Sequence, residues 1–305
     1  MNKAIFIILI LILISGCIGG VKEKDIEEDF HKGTQGVTMN FVRNAPPSKI
    51  YEGDYLAVSV ELFNKGAYPD VGTFQGKLEI SGFDIAAING RWEGGNAMPA
   101  DLNGKSVYNP IGGYGVMTYE ASNVNVPFDA DSYPADIIVH SCYSYKTIAS
   151  PLVCIDPDPY EAVSEAKVCN VGNQMLSGGQ GAPVAVTKIE QEVGADTIYF
   201  RIYIKNVGGG SVINPSAYDV CPFNLDFEHL NQVVVNADTS FDSGPRCTPA
   251  GTTSDPVHLI NGEGLIFCSF RKPSVQSAYL TPLNIQLSYV YSSSISKHVD
   301  IINIR

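Results

Sequence analysis

Positive charge is the first thing this sequence lacks. Its 305 residues hold 20 Lys and Arg against 32 Asp and Glu, a net charge of −12, and no stretch clusters the cations. A surface of that sign argues against nucleic acid as a partner and against a basic patch on anionic lipid; the acidity reads as a solubility feature. Long Ala/Glu/Lys/Leu stretches are absent too, and with them the vocabulary of helical proteins. There is no P-loop, no GxSxG elbow, no dinucleotide fingerprint, no HExxH and no CxxC. The five histidines, His31, His140, His229, His258 and His298, fall singly. No catalytic residue, no zinc site and no cofactor is therefore assigned. The single Asn-X-Ser/Thr triplet, Asn214-Pro215-Ser216, has proline in the middle, so N-linked sugar is not expected.

What is present points outward. Lys3 precedes an aliphatic run from Ile5 to Ile14, which meets Ser15, Gly16 and Cys17 and then the charged stretch "VKEKDIEEDF". The run falls short of the roughly 20 apolar residues a spanning helix needs, and fits a secretory leader over residues 1–16. Aliphatic, Ser, Gly, Cys is the order that exposes a thiol for lipidation, which makes Cys17 the lipid-bearing residue and first residue of the mature chain. Two acyl-type chains there would hold the protein on the outer face of a membrane. Residues 17–35 read as a solvated stalk.

The rest of the chain repeats itself. "LAVSVELFNKG" (56–66) lines up with "IYFRIYIKNVG" (198–208), Asn64 and Gly66 falling on Asn206 and Gly208. "IGGYGVMTY" (111–119) lines up with "INGEGLIFC" (260–268). "ADIIVHSCYSYKTIASPLVCI" (135–155) lines up with a stretch near 282–302, Tyr143 and Tyr145 falling on Tyr289 and Tyr291. The first pair alternates with period two, the mark of strands with one buried face, and the second is a Gly-X-Gly entry followed by an apolar strand. The expectation is all-β: two tandem antiparallel β-sandwiches, 36–156 and 182–305, each closed by a hairpin. Residues 157–181 form the linker, with a short helix over roughly 159–168 started by Asp158 and Pro159. The four repeated tyrosines are expected in the core. Segment 221–256 reads as loops with one strand at Gln232–Val235.

The Asn-X-Gly strand end, the paired aromatic closing hairpin and the lipobox together resemble tandem immunoglobulin-like domains of the CARDB (cell-adhesion-related) kind, as on lipoproteins of archaea. The resemblance implies surface exposure and a scaffold, binding or adhesion role; it carries no catalytic residue and no ligand.

An exported location makes Cys142, Cys154, Cys169, Cys221, Cys247 and Cys268 disulfide candidates. If the first closing hairpin turns near Ile148, Cys142 and Cys154 stand opposite each other; Cys247–Cys268 would then join loop to strand, and Cys169–Cys221 would clamp the linker. Other pairings stay open. Asp129, Asp131 and Asp136, and the run "DPDPYE" (156–161), offer oxygen ligands of the kind calcium takes, but turn formation alone explains aspartates there. The candidate binding loop is 88–110, where Arg91 sits beside the only tryptophan, Trp92, both types enriched in binding hot spots; the other reading of Trp92 is that it folds back to cap the core. The functional expectation is a lipid-anchored, extracytoplasmic surface protein acting as a binding, adhesion or envelope-structural module, its partner a cell-surface protein or glycan. The alternatives are an extracytoplasmic hydrolase acting on glycans and a solute-binding lipoprotein of a transporter.

Overall fold

The structure, a computed structural model, describes residues 30–70, 72–159 and 167–304. Cys17, the leader, the stalk up to residue 29 and residues 160–166 of the expected helix lie outside the described residues. Phe30 is buried and the Gly33 amide donates to Gly178 O, so residues 30–35, expected in the stalk, belong to the folded body.

The chain is all-β, with strands β1 (Val37–Phe41), β2 (Lys49–Tyr51), β3 (Leu56–Asn64), β4 (Gly76–Ser81), β5 (Arg91–Trp92), β6 (Tyr114–Ala121), β7 (Ser132–Ala149), β8 (Leu152–Ile155), β9 (Gln174–Met175), β10 (Val184–Val193), β11 (Thr197–Asn206), β12 (Ser211–Ile213), β13 (Gln232–Thr239), β14 (Arg246–Thr248), β15 (Val257–His258), β16 (Glu263–Arg271) and β17 (Tyr279–Ile302). Among the described residues no helix is long and apolar enough to cross a membrane. The alternation seen in sequence becomes burial. Leu56, Val58, Val60 and Leu62 of β3 and Ile198, Phe200, Ile202 and Ile204 of β11 are all inside, each worth about 1.5–3 kcal/mol relative to exposure.

The strands form three sheets. β1-β3-β6-β5 and β14-β16-β11-β10-β9 are two smaller ones. The third is built on the long pair β7 and β17, antiparallel in one unbroken register from Ser132↔Ile302 to Ala149↔Ile285. After Ser150 and Pro151, β8 resumes the same register against the start of β17, from Leu152↔Pro282 to Ile155↔Tyr279. β4 flanks β7, while β13, β12 and β2 flank β17.

This corrects the expected closing hairpins. The chain does not fold back near Ile148; residues 132–155 run straight, and their partner is the matching segment of the other copy. The physical reason lies in the burial pattern, since Ala135, Ile137, Val139, Tyr143, Tyr145 and Ala149 all face one side. A turn near Ile148 would have halved that stripe, whereas pairing the two stripes buries both. The copies therefore share one sheet, and their buried apolar side chains make one continuous core.

The centre of the sharing is the Ser144↔Val290 pair. On either side of it Tyr143 faces Tyr291 and Tyr145 faces Tyr289, four rings with centroids 5.6–6.3 Å apart. Their hydroxyls repeat the internal symmetry bond by bond. Tyr145 donates to Asn64 Oδ1 (3.1 Å) and accepts from Tyr68 N (3.2 Å); Tyr291 donates to Asn206 Oδ1 (3.2 Å) and accepts from Gly210 N (2.7 Å). Tyr143 accepts from Val37 N and Tyr289 from Val184 N. The Asn-X-Gly matches are thus the sockets of the tyrosine hydroxyls.

Candidate functional site: a stapled insertion on the back of the shared sheet

The two copies differ most between their third core strand and the strand that flanks the long pair. In the first copy residues 65–75 make this connection; in the second, residues 207–231 do, more than twice the length. The extra chain forms β12, a 3₁₀ turn at Pro215–Ala217 and another at Phe227–His229. It lies against the face of the long strands opposite the tyrosines, where Ile213, Ala217 and Cys221 bury Cys142 and Val290.

Three contacts fix it across the seam between copies. The Cys142–Cys221 disulfide joins it to β7. Lys77 of β4 donates to Asp219 O at 2.8 Å and sits over the Tyr218 ring. Phe223 meets the His140 ring edge-on at 5.2 Å. His140 is also within 2.9 Å of Ser81 Oγ through Nε2. Burial holds its pKa below the ordinary imidazole value, opposed in part by Glu79.

Beside the insertion opens a cleft of about 580 Å³ between residues 214–232 and 253–260. Its floor is a satisfied amide pair: buried Asn214 donates to Gln232 Oε1 (2.7 Å) and Thr253 O (3.0 Å) and accepts from Ser216, while Gln232 donates to Glu228 O. These bonds set the shape and leave little capacity for a ligand. The free capacity is at the walls. His229 Nδ1 is buried without a hydrogen-bond partner, His258 and Glu228 are exposed, and Phe227 and Ile260 stand out at 85% and 75% exposure. The site offers flat apolar surface beside nitrogen and carboxylate groups.

The sequence-predicted residues are arranged otherwise. Trp92 is 9% exposed and packs edge-on against Tyr119 at 5.6 Å. Its indole belongs to the core, so the expectation that it meets a partner is corrected; a large flat ring one strand from Tyr119 buries more area inward than outward. Arg91 alone of that pair is exposed. The six cysteines form three disulfides: Cys247–Cys268 as expected, but Cys142–Cys221 and Cys154–Cys169 in place of the hairpin pairing. On a straight strand at about 3.3 Å per residue, Cys142 and Cys154 stand roughly 40 Å apart. Asp136 hydrogen-bonds His298 Nδ1 at 2.7 Å, which raises the histidine's pKa. Asp156 pairs with Lys167, and Asp131 O accepts from Asn303 N. Among the described residues no three His, Cys, Asp or Glu side chains converge where they could hold a metal ion.

The insertion was invisible as a site because His229 and His258 are remote in sequence and carry no spacing motif. The signal that could have found it is the excess of chain after Gly208 relative to Gly66 when the copies are aligned.

No protein-family model matches this chain, and no curated protein matches it. Among solved structures it is similar to the D0-D1 domain of Intimin, at 11% identity over 88% of this chain and 100% of that one, with a TM-score of 0.22. It is similar also to the CupB6 tip adhesin from Pseudomonas aeruginosa, at 11% identity over 89% and 97%, TM-score 0.18. A DUF4466 family protein from Parabacteroides merdae gives 8% identity over 86% and 100%, TM-score 0.18. At such TM-scores the superpositions do not define a shared fold. The class set by the sheets themselves is all-β, its strands antiparallel but for the parallel pairing of β2 with β17.

Proposed function

We propose that this is a lipid-anchored, extracytoplasmic binding module of the cell surface, held through Cys17, whose recognition element is the 207–231 insertion and whose ligand is a surface glycan. The observation that carries the reading is the asymmetry of the duplication. At the connection into the strand that flanks the long pair, one copy alone bears a long insertion, and that insertion is stapled by Cys142–Cys221 onto the rigid shared sheet and walls the cleft. Extra chain fixed on a scaffold is where binding functions concentrate. The composition of the cleft supports a sugar: an exposed Phe227 ring for the apolar face of a pyranose, with His229, His258 and Glu228 for hydroxyls. Three disulfides support an oxidising compartment, and the Ile-Ser-Gly-Cys order supports lipidation. The CARDB-like reading, two repeats at 36–156 and 182–305 on an archaeal-type lipoprotein, rests on the same Asn-X-Gly and tyrosine matches.

The test is a glycan array probed with the full chain and with Phe227→Ala. The proposal expects a narrow set of sugars bound by the parent and lost at least tenfold in the variant, about 1.4 kcal/mol. Retention of that set by Phe227→Ala, or no sugar bound by the parent, contradicts it.

A further inference from the structure

The loop 103–113 carries an apolar tip that the fold does not use. Tyr108 is 97% exposed, Ile111 81% and Val107 55%, and behind them on β6 Tyr114 and Val116 are about half exposed. Ser106 and Asn109 bond each other's backbone and square off the turn, so the three side chains are presented on a formed loop. Single exposed apolar residues are ordinary, but a contiguous protruding set needs a covering surface.

The tip lies close to where the chain leaves the fold toward Cys17. Lys105 N donates to Gly66 O, Ala67 N to Gly181 O, Gly181 N to Gly33 O and Gly33 N to Gly178 O. These bonds form a ladder from the base of the loop to Gly33, and at about 4.8 Å per neighbouring chain the two are roughly 15 Å apart. From Phe30 back to Cys17 the chain spans at most about 45 Å. A chain anchored at Cys17 is therefore held by this side of the molecule. We infer that the tip formed by Val107, Tyr108 and Ile111 is a second membrane contact, seated in the bilayer interface and setting the orientation of the anchored protein. Tyrosine is at home at that depth, its ring apolar and its hydroxyl wet. The charges on the two neighbouring loops, Lys65 and Lys105 against Asp70 and Asp101, balance, so the contact is apolar and does not depend on anionic lipid or low salt.

This inference rests on anchoring through Cys17, and the experiment separates the two. The full, lipidated chain carrying Tyr108→Trp is reconstituted in phosphatidylcholine vesicles with brominated acyl chains, with Phe128→Trp as the control. Phe128 is 96% exposed and lies just before Ser132, at one end of the long pair, on the order of 40 Å from the central Ser144. Trp92, buried in the core, provides a constant background. The expected result is flotation with the vesicles, with bromine quenching several-fold greater for Tyr108→Trp than for Phe128→Trp or the parent, unchanged by 0.5 M salt at about a 4 Å screening length. Flotation with no extra quenching at Tyr108→Trp overturns the tip and leaves the anchor standing. Failure of the chain to float, or flotation unaffected by Cys17→Ser, overturns the anchoring reading and this inference with it.

Discussion

Gly66 has no room for a β-carbon: an atom there would stand 2.0 Å from the Tyr145 hydroxyl and 2.3 Å from Gly181 O. Gly208 meets the Tyr291 hydroxyl at 2.3 Å in the same way. The glycines are needed so that a strand end can close over a buried phenol, and Gly66→Ala is expected to cost about 3 kcal/mol, read as a lowered thermal midpoint, whereas Gly209→Ala, with nothing near its β-position, should be close to neutral. The phenols themselves make a pH prediction. Burial pushes Tyr143, Tyr145 and Tyr289 well above the ordinary phenol range. Below pH 10 the folded and unfolded chains bind the same protons at these groups. Above it the unfolded chain releases them while the folded one cannot, so stability falls by about 1.4 kcal/mol per pH unit for each tyrosine. Alkaline titration followed at the phenolate band should show these three ionising only in the cooperative unfolding step above pH 10; smooth ionisation in the native state would contradict their burial. At this scale the sequence was legible in identity but not in role. The repeat picked out Asn64, Gly66, Asn206, Gly208 and the tyrosines, yet nothing in spacing says that amide and phenol meet across the core.

For single elements, period two made β3, β6, β11 and β16 legible, because a half-buried strand writes its alternation into the sequence, whereas β13 was read only over Gln232–Val235 and runs on to Thr239. The long pair was legible as strand but not in its partners. Ser150-Pro151 looks like a hairpin turn and is only a break in a straight run that resumes in register at Leu152. Pairing between segments about 150 residues apart leaves no local signature. The insertion escaped for a different reason, since its order comes from Cys142–Cys221 and its burial of Val290 rather than from any pattern of its own. Replacing both cysteines by serine opens a loop of 79 residues and is expected to lower stability by about 4 kcal/mol on the chain-entropy account. Amide exchange should then quicken most across residues 211–231, through local opening, while β3 and β11 quicken only by the loss of global stability and stay the slowest to exchange. The same exchange rates in residues 211–231 as in β3 and β11 would mean that the insertion opens only with the whole core, and would contradict its being held by the staple.

Taken whole, the molecule has two halves, matched in sequence, that are completed by each other. Neither copy buries its long strand alone, and one continuous core runs beneath both smaller sheets. A chain cut to residues 30–156 would expose the edge of β7 that β17 covers, and is expected to aggregate or remain unfolded. The rigid sheet also gives the proposed function its geometry: the insertion packs on the face of the pair away from the tyrosines and walls the cleft, and the tether leaves near the loop at 103–113. The central claim is the β7–β17 pairing, and a cysteine cross-link across it is its most direct measurement. Ile138 and Ser296 are register partners on the outer face of the long pair. The double substitution Ile138→Cys/Ser296→Cys should form a disulfide in high yield under mild oxidation, found by non-reducing peptide mapping beside the three native bonds. Free thiols at both positions in the folded protein would mean that the copies stand apart, and would contradict the shared sheet.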